Sequence, residues 1–146
     1  MFINRKKELS LLEKIYHTEK AELFVLYGQR RVGKTELIKE FIKGKKNIYF
    51  MADLNIEKSL MEMFSERSKT SLSKELNNID VSFNSWDSIF KFIANFAKSE
   101  KLIVVLDEFQ YICTSNNAFS SILQRLWDET LKDTKIKLIL CGSYII

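Results

Sequence analysis

Proline is absent from the 146 residues, and glycine occurs only at Gly28, Gly33, Gly44 and Gly142. A Pro/Gly-rich low-complexity chain is thereby excluded, and no internal repeat is visible. Cysteine appears twice, at Cys113 and Cys141, without metal-ligand spacing. Apolar flanks mark both as buried reduced thiols rather than parts of a disulfide framework. The single histidine, His17, falls at the end of a predicted helix, where a cation suits the dipole. It stands too far from the other candidate residues for a catalytic role. No apolar run at the N-terminus is long enough for a signal peptide or a membrane span, so a cytoplasmic location and no membrane partner are expected. Charge of one sign is also scarce: 23 basic against 19 acidic side chains leave +4. The basic residues are scattered and no recognition motif accompanies them, so nucleic acid is expected as a partner only through regions outside this sequence.

What is present is a soluble, one-domain composition, 46% hydrophobic and 29% charged, long enough to bury a sizeable core. Residues 5–17 read as an amphipathic helix, with Leu9, Leu12, Ile15 and Tyr16 at helical spacing. Residues 23–27 form a short apolar strand ending at Gly28. A helix is predicted from Lys34 to Ile42, with Leu37, Ile38, Phe41 and Ile42 on one face and Gly44 as its C-terminal stop. A strand follows at 47–52, then a helix over 56–76 with Leu60, Met63 and Phe64 as core candidates, then a polar loop. Ser85 is placed to cap the next helix, with Asp87 in its first turn. That helix carries Trp86, Ile89, Phe90, Ile93, Phe96 and Ala97 toward a core. Residues 101–107 read as a third buried strand. Residues 118–132 read as a helix with Phe119, Ile122, Leu123, Leu126 and Leu131 inward. A fourth strand is expected at 136–141, closing at Gly142 and Ser143. Alternating strands and helices predict an α/β fold, a parallel sheet covered by helices on both faces in three layers.

Two of the four glycines fall inside Gly28-Gln-Arg-Arg-Val-Gly-Lys-Thr35, a complete match to G-x-x-x-x-G-K-T between a predicted strand and a predicted helix. The loop Gln29, Arg30, Arg31, Val32 and Gly33 would turn backbone N–H groups toward phosphate oxygens at a helix N-terminus. Gly28 and Gly33 permit the close backbone approach. Lys34 would bring a point charge to the β- and γ-phosphates, from a solvent-facing position, and the Thr35 hydroxyl would be a magnesium ligand.

The second signal is Leu102-Ile-Val-Val-Leu-Asp-Glu108, an apolar strand ending in two carboxylates. Ligands of open parallel sheets bind at the C-terminal edge of the strands. Asp107 is expected to hold magnesium there, and Glu108 to polarise a water for in-line attack on the γ-phosphate. Ser143, at the end of the last strand, is a candidate γ-phosphate sensor or water-positioning residue; a plain strand-end turn is the alternative.

Several blocks together carry a family resemblance. They are Phe2-Ile-Asn-Arg5 with Glu8, Leu9 and Leu12; Tyr27-Gly-Gln-Arg-Arg-Val-Gly-Lys-Thr35; Ile48-Tyr-Phe-Met-Ala52; Leu106-Asp-Glu-Phe-Gln110; and Cys141-Gly-Ser143. The sequence resembles the archaeal-type ATPases of the AAA-like and STAND-like branch of P-loop NTPases. That resemblance implies an additional-strand sheet of order 5-1-4-3-2, with the fifth strand missing here, and a domain over 1–146 that is an N-terminal piece of a longer protein. It places Asn4 and Arg5 near the adenine and Gln110 at the phosphate region. It also implies ATP and magnesium as cofactors. Downstream domains or protein partners, and a homo-oligomer, are left open. No arginine finger is assignable; Arg125 sits on a helix face with nothing distinctive.

The leading expectation is ATP hydrolysis that drives a conformational change. A slow-turnover, ATP-gated switch is the second reading. A P-loop small-molecule kinase is the third, disfavoured because a kinase needs no activated water and Glu108 is placed to activate one.

Overall fold

The computed structural model describes residues 6–29, 33–72 and 83–144. The elements run α1 (Lys6–Tyr16), β1 (Glu22–Gln29), α2 (Lys34–Ile42), β2 (Asn47–Met51), α3 (Glu57–Ser71), α4 (Trp86–Ala97), β3 (Leu102–Asp107), α5 (Gln110–Ser115), α6 (Phe119–Glu129) and β4 (Ile136–Tyr144). A 3-10 turn, Leu131–Asp133, leads into β4.

All strand pairs are parallel and the order is β1-β4-β3-β2. The last strand of the sequence therefore inserts between the first and third, as the additional-strand arrangement requires. A fifth strand beyond β1 is not among the described residues.

Side chains alternate across a strand, and each strand thus feeds two cores. Leu102, Val104 and Leu106 of β3 join Ile48 and Phe50 of β2 and Leu138 and Leu140 of β4 under α3, α4, α5 and α6. Ile103, Val105, Ile139 and Cys141 face the other way, against Leu12 of α1 and Leu37, Ile38 and Phe41 of α2. The two clusters make the three layers expected from the pattern.

The helices start and stop for local reasons. The Ser85 hydroxyl accepts the Ser88 N–H at 3.0 Å, and the Ser88 hydroxyl accepts the Ser85 N–H at 3.3 Å, a reciprocal capping box at the head of α4. Gly44, at φ 73°, stands just past the end of α2. That left-handed turn costs glycine nothing.

Four expectations need correction. Met63 is 39% exposed rather than core, because it lies off the Leu60–Phe64 face of α3. Cys113 is half-buried, whereas Cys141 is fully buried. The helix expected over 118–132 ends at Glu129, and its last turn tightens into the 3-10 segment. β4 does not close at Gly142: it pairs with β1 as far as Tyr144. The short helix α5 had no sequence counterpart.

Candidate functional site

Alternation decides where the chemistry lies. Asp107 continues the Ile103–Val105 side of β3, and so emerges on the α2 face, 1% exposed. α2 begins at Lys34, directly after Gly33, whose φ of 83° needs the left-handed freedom of glycine. The first helical turn therefore meets the end of β3. The Thr35 hydroxyl donates to Asp107 Oδ2 at 3.0 Å, across 72 residues of sequence. The other oxygen, Oδ1, accepts the Glu108 backbone N–H at 2.9 Å. The Tyr49 hydroxyl of β2 also donates to Oδ2. Burial, then the bond to Asp107, push the Tyr49 phenol well above its usual range.

Lys34 is 7% exposed and lies in the first turn of α2, not on a solvent-facing loop. Its Nζ donates to the Gly28 carbonyl at 3.5 Å, folding the side chain back over the start of the loop. Gly28 and Gln29 are the last two residues of β1, paired with Ser143 and Tyr144 of β4. Arg30, Arg31 and Val32, and likewise Asn4 and Arg5, lie outside the described residues.

Glu108 has φ 54°, and among the described residues it is the one non-glycine with positive φ. Such a backbone is uncommon for a residue with a Cβ and persists only where the surroundings impose it. Here they do so from both sides. The Asp107 carbonyl accepts the Ala52 N–H at 2.9 Å, and the Phe109 N–H donates to the Cys141 carbonyl at 2.9 Å. The turn aims the Glu108 carboxylate at β4. The Ser143 hydroxyl lies 3.0 Å from Oε1 and 2.9 Å from Oε2, as a donor to that carboxylate. Gln110 completes a triangle: its Nε2 donates to Glu108 Oε2 at 2.5 Å, and its Oε1 accepts the Ser143 N–H at 3.3 Å. Gly142 has no room for a side chain, since a Cβ there would sit 2.8 Å from both the Phe109 and Tyr27 rings.

The structure thus brings together Gly28, Lys34, Thr35, Asp107, Glu108, Gln110 and Ser143 at the C-terminal edge of the sheet. Sequence reasoning missed Tyr49. The signal was its place opposite Ile48 and Phe50 in strand alternation, which becomes readable only once the β2–β3 register is known. Arg125 is engaged elsewhere, in a two-pronged pair with Asp87 at 2.8 and 3.0 Å that holds the Asp87 carboxyl below its usual range. Cys141, one strand across from the Asp107 carboxylate, is pushed up to about 12 by burial and then by the Asp107 charge. Among the described residues no cluster of three or more His, Cys, Asp or Glu side chains forms a metal cage. No helix there is long and apolar enough to cross a membrane.

Comparison with known proteins agrees with this fold. The family model for an ATPase domain predominantly from Archaea matches residues 2–145. A protein of Methanocaldococcus jannaschii without an assigned function is 34% identical over 145 residues, covering 99% of this chain and 30% of that protein. An ATP-binding protein of the same organism is 59% identical over 46 residues, 32% of this chain and 78% of its own length. Among solved structures, the Walker-type ATPase of Pyrococcus abyssi superposes with a TM-score of 0.69 at 21% identity, covering 94% of this chain and 44% of that one. Drosophila ORC bound to DNA gives a TM-score of 0.72 at 16% identity, covering 98% of this chain and 38% of that one. The chain therefore spans less than half the length of these longer relatives. With a P-loop ATPase fold, a strand order that follows from it and a family match over nearly every residue, the chain belongs to the ATPase domain family found predominantly in Archaea.

Proposed function

We propose that this chain binds ATP with magnesium and hydrolyses it, and that hydrolysis drives a conformational change in the protein that carries it. The observation that carries the reading is the Thr35–Asp107 hydrogen bond at 3.0 Å. It joins the residue ending the phosphate-loop motif to the carboxylate at the strand edge, and Glu108 stands next to it. A hydroxyl and a carboxylate are hard oxygen donors of the kind magnesium takes, so the donor set fits that ion. Bound there, magnesium would neutralise phosphate charge.

In this reading Gly28, Gln29, Arg30, Arg31, Val32 and Gly33 wrap the phosphates with backbone N–H groups, as a loop entering a helix does. Lys34 swings from the Gly28 carbonyl to the phosphates. Thr35 and Asp107 hold the metal. Glu108 takes the proton of the attacking water. Ser143 and Gln110 orient the Glu108 carboxylate, and Asn4 and Arg5 lie along the adenine.

The test is calorimetric titration of magnesium-ATP beside thermal melting. Lys34→Ala is expected to lose measurable affinity while melting within a few degrees of wild type. Retained affinity removes the phosphate-loop assignment.

One observation favours a second reading, the slow ATP-gated switch. Both Glu108 oxygens already accept from Ser143 and Gln110, so an attacking water competes with protein donors for the base. A chain that binds ATP tightly, yet releases phosphate far more slowly than it exchanges nucleotide, would be this switch.

A further inference from the structure

Tyr49, within the Ile48–Ala52 block, has no role in the phosphate loop or the Asp107-Glu108 pair, yet it touches the site's most buried carboxylate. Its strand sends Ile48 and Phe50 to the α3–α4 side, and Tyr49 to the α1–α2 side with Ile103, Val105 and Cys141. The ring is packed at the margin of that apolar cluster. Only the hydroxyl reaches the polar edge, where it donates to Asp107 Oδ2.

That oxygen also accepts from Thr35 at 3.0 Å, while Oδ1 accepts the Glu108 N–H at 2.9 Å. The terminal torsion of an Asp is broad and weakly preferred by itself. Donors from α2, from β2 and from the carboxylate's own backbone remove that freedom. Of these, Thr35 is itself an intended metal ligand, and the Glu108 N–H belongs to a strained turn. Tyr49 alone delivers its donor from a rigid strand through a planar ring.

We propose that Tyr49 is a positioning residue for the magnesium-binding carboxylate: its hydroxyl fixes Asp107 in the orientation in which Asp107 and Thr35 present their oxygens to one divalent cation. This rests on the magnesium-ATP reading above. Pre-organised ligands cost less to order when the ion arrives. Without the phenol, Asp107 Oδ2 keeps one donor and the carboxylate must be ordered by the ion itself.

The experiment measures binding of a fluorescent ATP analogue to the whole chain, first in EDTA and then along a magnesium series. If the wild-type chain gains no affinity from magnesium, it is the magnesium-ATP reading that fails. Given that gain, Tyr49→Phe is expected to leave metal-free affinity within about twofold of wild type and to raise the half-maximal magnesium concentration about tenfold, the loss expected for one hydrogen bond to a charged group. A merely structural tyrosine would lower the melting temperature and leave that midpoint alone. An unchanged midpoint in folded Tyr49→Phe overturns the proposal. A second readout needs no variant. Terbium, which seeks the same hard oxygen donors, is expected to show tyrosine-sensitised emission from the wild-type chain that excess magnesium abolishes. Absence of such emission, in a chain whose nucleotide affinity still responds to magnesium, also overturns it.

Discussion

Asp107 and Glu108 are neighbours in sequence with the same chemical group, and the fold treats them in opposite ways. Asp107 ends a strand in ordinary extended backbone, is 1% exposed and is pinned by Thr35, Tyr49 and the Glu108 N–H. Glu108 sits on a left-handed turn, half-buried, with its carboxylate held, among the described residues, by the side chains of Ser143 and Gln110. One carboxylate is a fixed acceptor. The other is mounted on a bend and met by hydrogen bonds from two side chains. The strained backbone lies at Glu108 and the ordinary geometry at Asp107, which suits the proposed roles of a base that must exchange partners and a metal ligand that must stay fixed.

The comparison breaks most visibly under substitutions that remove the charge and keep the shape. Glu108→Gln is expected to keep ATP affinity within about threefold and to slow single-turnover phosphate release by on the order of 10²–10⁴, since a glutamine cannot accept the proton of the attacking water. Turnover at the wild-type rate would show that Glu108 is not the base. Asp107→Asn should do the reverse. Magnesium-dependent affinity is expected to fall by between about tenfold and about a hundredfold, as charged hydrogen-bond and metal partners lose their acceptor, while metal-free affinity changes little. Titrations with and without magnesium separate the two.

A smaller effect is expected at the partner of Glu108. Ser143→Ala removes the hydroxyl that spans both carboxylate oxygens, and should lower single-turnover hydrolysis about tenfold without moving ATP affinity. A faster rate would instead identify the hydroxyl as a restraint and favour the slow switch. The smallest effect is chemical. Cys141 lies against the Asp107 side of the site, buried and raised to about 12 from an ordinary 9.0. It stays a neutral thiol at pH 8, so iodoacetamide should label half-buried Cys113 and spare Cys141 until the chain unfolds. The sign of the pH dependence follows. The neutral thiol's contribution to stability is complete below pH 9 and is lost as pH climbs toward 12.

Much of this was legible before the coordinates. The phosphate-loop spacing and the apolar run into Asp107-Glu108 follow from patterns of residue type, and the insertion of the 136–141 strand beside the first is what the family resemblance implies. The rest depended on what one-dimensional spacing does not carry. Nothing in Asp-Glu-Phe-Gln announces that Glu108 adopts φ 54°, because hydrogen bonds from Ala52 and to Cys141 impose that angle from other strands. Tyr49 reads as one more strand aromatic until the register sets Met51 against Asp107. Lys34 looked exposed because loops usually are; it is buried because its helix begins at once and docks on the sheet. The helix α5 is six residues long, too short to show a period.

The insertion of β4 has a consequence for how the molecule comes into being. During synthesis β1 emerges first, and among the described strands its only partner is β4, the last to appear. β3 can pair with β2 as soon as it is made, but β1 must wait for Ile136–Tyr144 to arrive. Pairings between segments so distant in the chain are slow to form and leave unpaired edges open meanwhile. Leu23, Val25 and Tyr27, all near half exposed even in the finished fold, spend that interval on a strand with no neighbour. Among the described strands, β1 is therefore the one left longest without a partner, and Ser143 joins Glu108 only when β4 pairs into the sheet.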